Sequence, residues 1–174
     1  MDWYKAIFEL IDMRSFSNLW FWIVLAVVWS SASHWVMGIP YDMVMRARRV
    51  GGQAAQDLQD ITRVYANRLL YIADVSGLWL LGLACFVLST LALLGFAYGI
   101  EFAQAVVLLM APMSGVALLS LRTARHIDRE ALTGEALVRR LMRHRLQTQM
   151  IGTLAIFVTA LWGMYQNLTI GVLG

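Results

Sequence analysis

The stretch VSGLWLLGLACFVLSTLALLGFAYGIEFAQAVVLLMAPMSGVALLSL, residues 75–121, decides the class of fold. Its only charged residue is Glu101, which falls in the short turn Tyr98-Gly-Ile-Glu101 between two apolar runs. A run of about 18 or more apolar residues, once helical, matches the hydrocarbon thickness of a bilayer. Two such runs joined by so short a turn must lie side by side and antiparallel.

Two more runs flank this pair, at 19–39 and 150–173. Of the 174 residues, 60% are hydrophobic, and the mean hydropathy is +0.64. Soluble domains sit nearer 45–50% apolar. The chain therefore reads as all-α, a polytopic membrane protein in one domain, 1–174. Four transmembrane helices are predicted at about 19–39, 72–98, 102–121 and 150–170, with cytoplasmic segments at 41–70 and 122–148. The first 18 residues carry no basic n-region and no small-residue cleavage site, so the first span is expected to be retained.

The arginines orient these spans. Lys and Arg collect in the short loops on the cytoplasmic side. The first connector holds Arg46, Arg48, Arg49, Arg63 and Arg68. The second holds Arg122, Arg125, Arg129, Arg139, Arg140, Arg143 and Arg145. The turn at 98–101 has no basic residue, and nothing after Tyr165 is charged. Both termini are expected outside and both connectors inside. Trp20 and Trp22 mark the outer end of the first span, Trp35 and Tyr41 its inner end, and Tyr98, Trp162 and Tyr165 the outer side elsewhere. Trp29 and Trp79 lie deeper, which suits packing between helices.

The flanks carry helical periodicity. Trp3, Ile7, Phe8 and Ile11 predict a short amphipathic helix on the outer surface. Pro40 stops or bends the first span, and Gly51–Gly52 breaks the helix that carries Arg46–Arg49. Ala54, Leu58, Ile61, Tyr65 and Leu69 predict one helix running into the second span. Val138, Leu141, Met142 and Leu146 repeat the device before the fourth, with Glu135 and Arg139 spaced for an i,i+4 pair. Two such extensions would build a compact cytoplasmic platform. Its Arg46, Arg48, Arg49, Arg139, Arg140, Arg143 and Arg145 would meet anionic lipid or a partner.

Helices in a bilayer associate through small residues and polar contacts. Gly95 and Gly99 form a GxxxG face, Ala111 and Gly115 a second small pair, and Gly163 a third position. Pro112 inside the third span predicts a kink. An ionisable residue in a span is a functional candidate by default, and His34 and Asp74 qualify as an intramembrane polar pair. A neutral histidine donating to a carboxylate would satisfy both as a structural bond, or the two could form part of a proton path. His34 has Ser30 four residues before it, as in pigment-binding helices, yet haem would need a second axial ligand. His126 and His144 read as residues of the inner loop, and Glu101 and Gln104 as hydrated groups at the outer interface.

Cys85 stands alone, which excludes an internal disulfide and a thiolate cluster built from this chain. No nucleophile–base set, phosphate loop or carboxylate cluster is present in the sequence. No catalytic residue, metal site or cofactor is expected. The net charge of +3 sits beside the spans, which points to lipid and not to nucleic acid.

The residues IDMRSFSNLW (11–20) through YDMVMRARR (41–49) resemble an alphaproteobacterial family of small membrane proteins. Some of its members carry the label of a component of the SufBCD iron–sulfur assembly complex. The resemblance covers most of the chain and implies a small inner-membrane protein, but it brings no site residues with it. The topology is also loosely similar to proton-driven motor proteins of the TolQ type, from which a fourth span and a missing sequence pattern separate it.

Two functions fit these features. One is a non-catalytic accessory, scaffold or assembly subunit of a larger inner-membrane complex, with respiratory and photosynthetic complexes as candidates. Its partners would be the bilayer and other membrane subunits. The other is a small oligomeric transporter or channel working through His34 and Asp74.

Overall fold

The computed structural model describes residues 15–171, with side chains placed through Leu168. The amphipathic helix expected at Trp3, Ile7, Phe8 and Ile11 lies outside the described residues.

A 3₁₀ turn, Ser15–Ser17, leads into α1, Leu19–His34. Asn18 caps this helix, its side-chain oxygen accepting from the Trp20 amide at 3.0 Å. The apolar run 19–39 predicts helix as far as Ile39, but α1 stops at His34. Met37 and Gly38 take φ of 54° and 87°. Positive φ at both central residues closes a two-residue hairpin. Trp35–Val36 (β1) and Ile39–Pro40 (β2) pair antiparallel across it, with Val36 opposite Ile39. Val36, Met37 and Ile39 are buried there. A Cβ on Gly38 would lie 2.8 Å from the Tyr65 ring, so the hairpin tip needs a residue with neither a side chain nor a φ restriction.

Helix α2, Tyr41–Val50, follows, and Gly51 with φ 65° turns the chain into α3, Gly52–Ala92. With 41 residues, α3 is roughly 60 Å long. That is about twice the hydrocarbon thickness of a bilayer. Its polar first half therefore stands outside any membrane its apolar second half crosses. A π-helical turn, Leu93–Ala97, ends the rod. Helix α4, Glu101–Arg129, returns beside it, and a tight turn leads into α5, Gly134–Gly171. Pro112 lies inside α4, and the helix continues past it to Arg129.

Three of the helical segments are long and apolar enough to cross a membrane, Gly52–Ala97, Glu101–Arg129 and Gly134–Leu168. The protein is thus an all-helical membrane protein apart from the small hairpin. With 16 residues, α1 is apolar but shorter.

Burial concentrates at the arginine-rich end. Val36, Ile39, Val44, Leu58, Ala66, Ala124, Ile127, Leu137 and Leu141 form one core there, drawn from the hairpin and from α2 through α5. The stripe predicted on α3 holds, with Leu58 fully buried and Ile61, Tyr65 and Leu69 packed against the core. The stripe predicted on α5 holds at Val138 and Leu141, which are buried, and at Met142, which packs against the core. It fails at Leu146, which is 59% exposed, while Leu137 is buried with the stripe. A second, smaller core of Leu25, Trp29 and Ala155 joins α1 to α5 between the apolar runs.

Candidate functional site

Two polar clusters hold the ends of the bundle, and neither is centred on the pair picked out in sequence. At the turn end, Gln104 on α4 is 3% exposed, not hydrated as expected. Its Nε2 donates to the Gly95 carbonyl at 2.8 Å. Its Oε1 accepts from Trp162 Nε1 at 2.9 Å and from Gln166 Nε2 at 2.5 Å. One amide thus ties the π-helical turn, α4 and α5 together, and the low dielectric around it makes each bond matter more. Glu101 is also engaged, its Oε1 accepting from the Phe16 amide at 2.6 Å. Ser17 Oγ donates to Asn167 Oδ1 at 2.7 Å. The start of α1 is therefore pinned to the same end as the 98–101 turn.

The small residues divide by role. A Cβ on Gly95 would come within 2.8 Å of the Gln104 backbone nitrogen, so this glycine is a point of backbone contact. Gly163 packs against Phe16 and Trp22, at 3.2 and 3.3 Å from a built Cβ. Gly99, with φ 71°, and Gly115 meet open space within this chain, so neither is a packing position here. Ala111 is exposed beside Pro112. Gly152, which the small-residue reading passed over, is the tightest of all. A Cβ there would sit 2.6 Å from the Trp29 ring.

At the arginine end, His144 is 2% exposed on α5, not in a loop. Its Nδ1 lies 3.1 Å from Thr123 Oγ1 of α4. Arg140 Nη2 donates to the same oxygen at 3.1 Å. Arginine can only donate, so the Thr123 hydroxyl accepts from it. The tautomer that gives the hydroxyl's own proton an acceptor has Nδ1 accepting and the ring proton on Nε2. Burial, with the nearby Arg140 charge, lowers the His144 pKa from 6.5 to about 4. The imidazole is neutral at ordinary pH.

Arg145 is also turned inward. Its Nε donates to the Ser33 carbonyl at 3.1 Å, and its guanidinium carbon lies 3.8 Å from the centre of the Tyr41 ring. It caps the C-terminus of α1 and stacks on the start of α2. Arg140 and Arg145, both half-buried, thus brace the bundle from within. Arg46, Arg48, Arg49, Arg139 and Arg143 are exposed. Of these, Arg139 reaches Glu135 at 3.6 Å and Arg48 points Nη1 at Met142 Sδ at 3.7 Å.

His34 and Asp74 are both exposed, and no hydrogen bond or ion pair joins them among the described residues. The His34 ring rests edge-on against Trp35. His126 lies on α4 and pairs with Glu130 at 3.1 Å. Among the described residues, no three His, Cys, Asp or Glu side chains converge on one point. What the polar groups do chemically is hold helices in register.

A cavity of about 380 Å³ opens beside His144, between the hairpin, α3 and α4. Tyr65, Arg68 and Ser120 share its wall with apolar side chains. The sequence pointed to none of this, because the site is assembled from the unforeseen hairpin and a histidine read as loop. No family model, curated protein or solved structure matches the chain.

Proposed function

We propose that this is a non-catalytic accessory or scaffold subunit of a larger bacterial inner-membrane complex, built as four spans with both termini outside. One observation carries the subunit reading. Trp79 lies about eight residues, roughly 12 Å, inside the apolar half of α3. It is 83% exposed, beside Leu78 at 82%. Tryptophan prefers the membrane interface, where its N–H finds a partner. Among the described residues the Trp79 N–H has no hydrogen bond and no helix covers the ring. Only 6% of the most apolar window of α3 is buried, against 22% in α4 and in α5. Gly82 lies next to this face and would let another helix approach closely.

The fourth span draws on α1. It is pinned to Glu101 through Phe16 at one end and to Arg145 through Ser33 at the other. It therefore runs the length of the apolar half of the bundle despite its 16 residues. The 3₁₀ turn and the hairpin complete the crossing, and a small local thinning of the bilayer would absorb the remainder. The two arginine connectors then face the cytoplasm.

A photo-crosslinker placed at residue 79 tests the subunit reading in native membranes. One at Val64, exposed on the polar half of α3, is the control. A discrete adduct with another membrane protein at 79, absent at 64, is the expected result. It should survive mild-detergent purification in fixed ratio. Adducts with lipid alone, and recovery of a lone chain, would overturn the reading. The transporter alternative gains nothing specific, since its two ionisable residues are exposed and unconnected.

A further inference from the structure

From the cavity beside His144 we infer that this protein holds one anionic phospholipid of the inner leaflet in a dedicated site, with the phosphate at Arg68 and an ester carbonyl on His144 Nε2–H. Four features of the site carry this. The first is a free donor in a buried place. His144 is 2% exposed, and among the described residues its one hydrogen bond is at Nδ1. The residue lines the cavity. Nε2–H has no acceptor among the described residues, and a ligand oxygen would satisfy it.

The second is charge. Arg68 stands on the cavity wall and makes no ion pair or hydrogen bond among the described residues. No acidic side chain lines the cavity. An arginine fork without a carboxylate suits a phosphate. The third is the apolar wall. Leu69, Ile72 and Val116 line the cavity and continue onto the apolar lengths of α3 and α4. At about 380 Å³ the cavity is ligand-sized, with room for a phosphate and glycerol region. Acyl chains would leave it along those two helices into the bilayer. The fourth is depth. Trp35 lies on the rim and half-exposed, where the apolar halves of the helices give way to the arginine-rich core. That is the level of a headgroup. A neutral quinone shares the carbonyl and the apolar body but has no use for an unpaired guanidinium.

The experiment is native mass spectrometry of the full chain, extracted into mild detergent and offered phosphatidylglycerol or phosphatidylcholine. Wild type should retain one phosphatidylglycerol through delipidation and bind it at least tenfold more tightly than phosphatidylcholine. Arg68→Gln, at an exposed position, should lose roughly tenfold in phosphatidylglycerol affinity and leave phosphatidylcholine binding unchanged. Ala117→Phe fills the cavity from an exposed position on α4 and should abolish retention of the lipid. Arg129→Gln, at the exposed end of α4, is the control for general surface charge and should change nothing. Equal loss in R68Q and R129Q, equal affinity for both lipids, or full retention in A117F would overturn the site. So would retention of a quinone in place of a phospholipid.

Discussion

At the scale of single residues, the chemistry that matters is the placement of protons and of missing side chains. His144 is held neutral by burial and by Arg140, with a pKa of about 4 in the fold against 6.5 when unfolded. Between those values the unfolded chain binds a proton that the folded chain does not, so stability rises with pH through that window and is level above about 6.5. A shift of this size corresponds to roughly 3 kcal/mol as an upper bound. Stability measured against pH should therefore fall from about 6.5 toward 4 in wild type. The difference between wild type and His144→Gln should carry that slope, and a pH-independent difference would refute the assignment. Glycine positions make a second test. Gly95→Ala drives a Cβ to 2.8 Å from a backbone nitrogen and should cost about 1–3 kcal/mol. Gly115→Ala meets open space and should be neutral or slightly stabilising, since alanine favours helix. Thermal denaturation in one detergent ranks the two. A small-residue motif read along the sequence cannot make this distinction. Gly95 and Gly99 look alike at a spacing of four, and only the fold shows that one is touched by Gln104 while the other ends a helix.

At the scale of elements, the periodic and apolar patterns were legible and the irregular ones were not. The α3 stripe and the Gly51–Gly52 break followed from spacing and from glycine chemistry, because helix periodicity is local. The hairpin did not. Val36-Met-Gly-Ile39 is apolar throughout, so nothing in hydropathy separates it from the helix before it, and Met37 at positive φ defies the usual preference. What holds it lies far away in sequence: Tyr65 over Gly38, and Arg145 on the last turn of α1. Arg145 therefore does more than orient the protein. Arg145→Ala removes a charge-assisted bond to the Ser33 carbonyl and the stack on Tyr41, at a cost of about 1–3 kcal/mol. Hydrogen exchange should quicken across residues 33–41 and remain unchanged at 101–107, where Gln104 does the bracing. Arg145→Lys keeps the charge but loses the planar fork, and should recover less than half of the protection. Uniform quickening along the chain would mean global destabilisation and not a local clasp.

At the scale of the whole molecule, packing is lopsided, and the lopsidedness has a direction. The main core gathers at the arginine-rich end, and the rods beyond it touch more sparingly, with most of their apolar surface outward. Water alone would not tolerate that surface, whereas lipid or another span covers it without penalty. Charge then sets the direction. The exposed arginines Arg46, Arg48, Arg49, Arg139 and Arg143 surround the core, and among the described residues the opposite end, at the Tyr98–Ile100 link, carries no basic side chain. The proposed topology therefore puts the cytoplasm at the basic end. Single cysteines test this directly once Cys85, exposed on α3, is replaced by Ala. A cysteine in place of Tyr98, which is 72% exposed, should react with a membrane-impermeant maleimide in intact cells. One in place of Glu135, whose side chain is 91% exposed, should react only after the membrane is opened. The reverse pattern would turn the molecule over and move the lipid site to the outer leaflet. Equal labelling of both positions in intact cells would mean that the long rods do not cross at all.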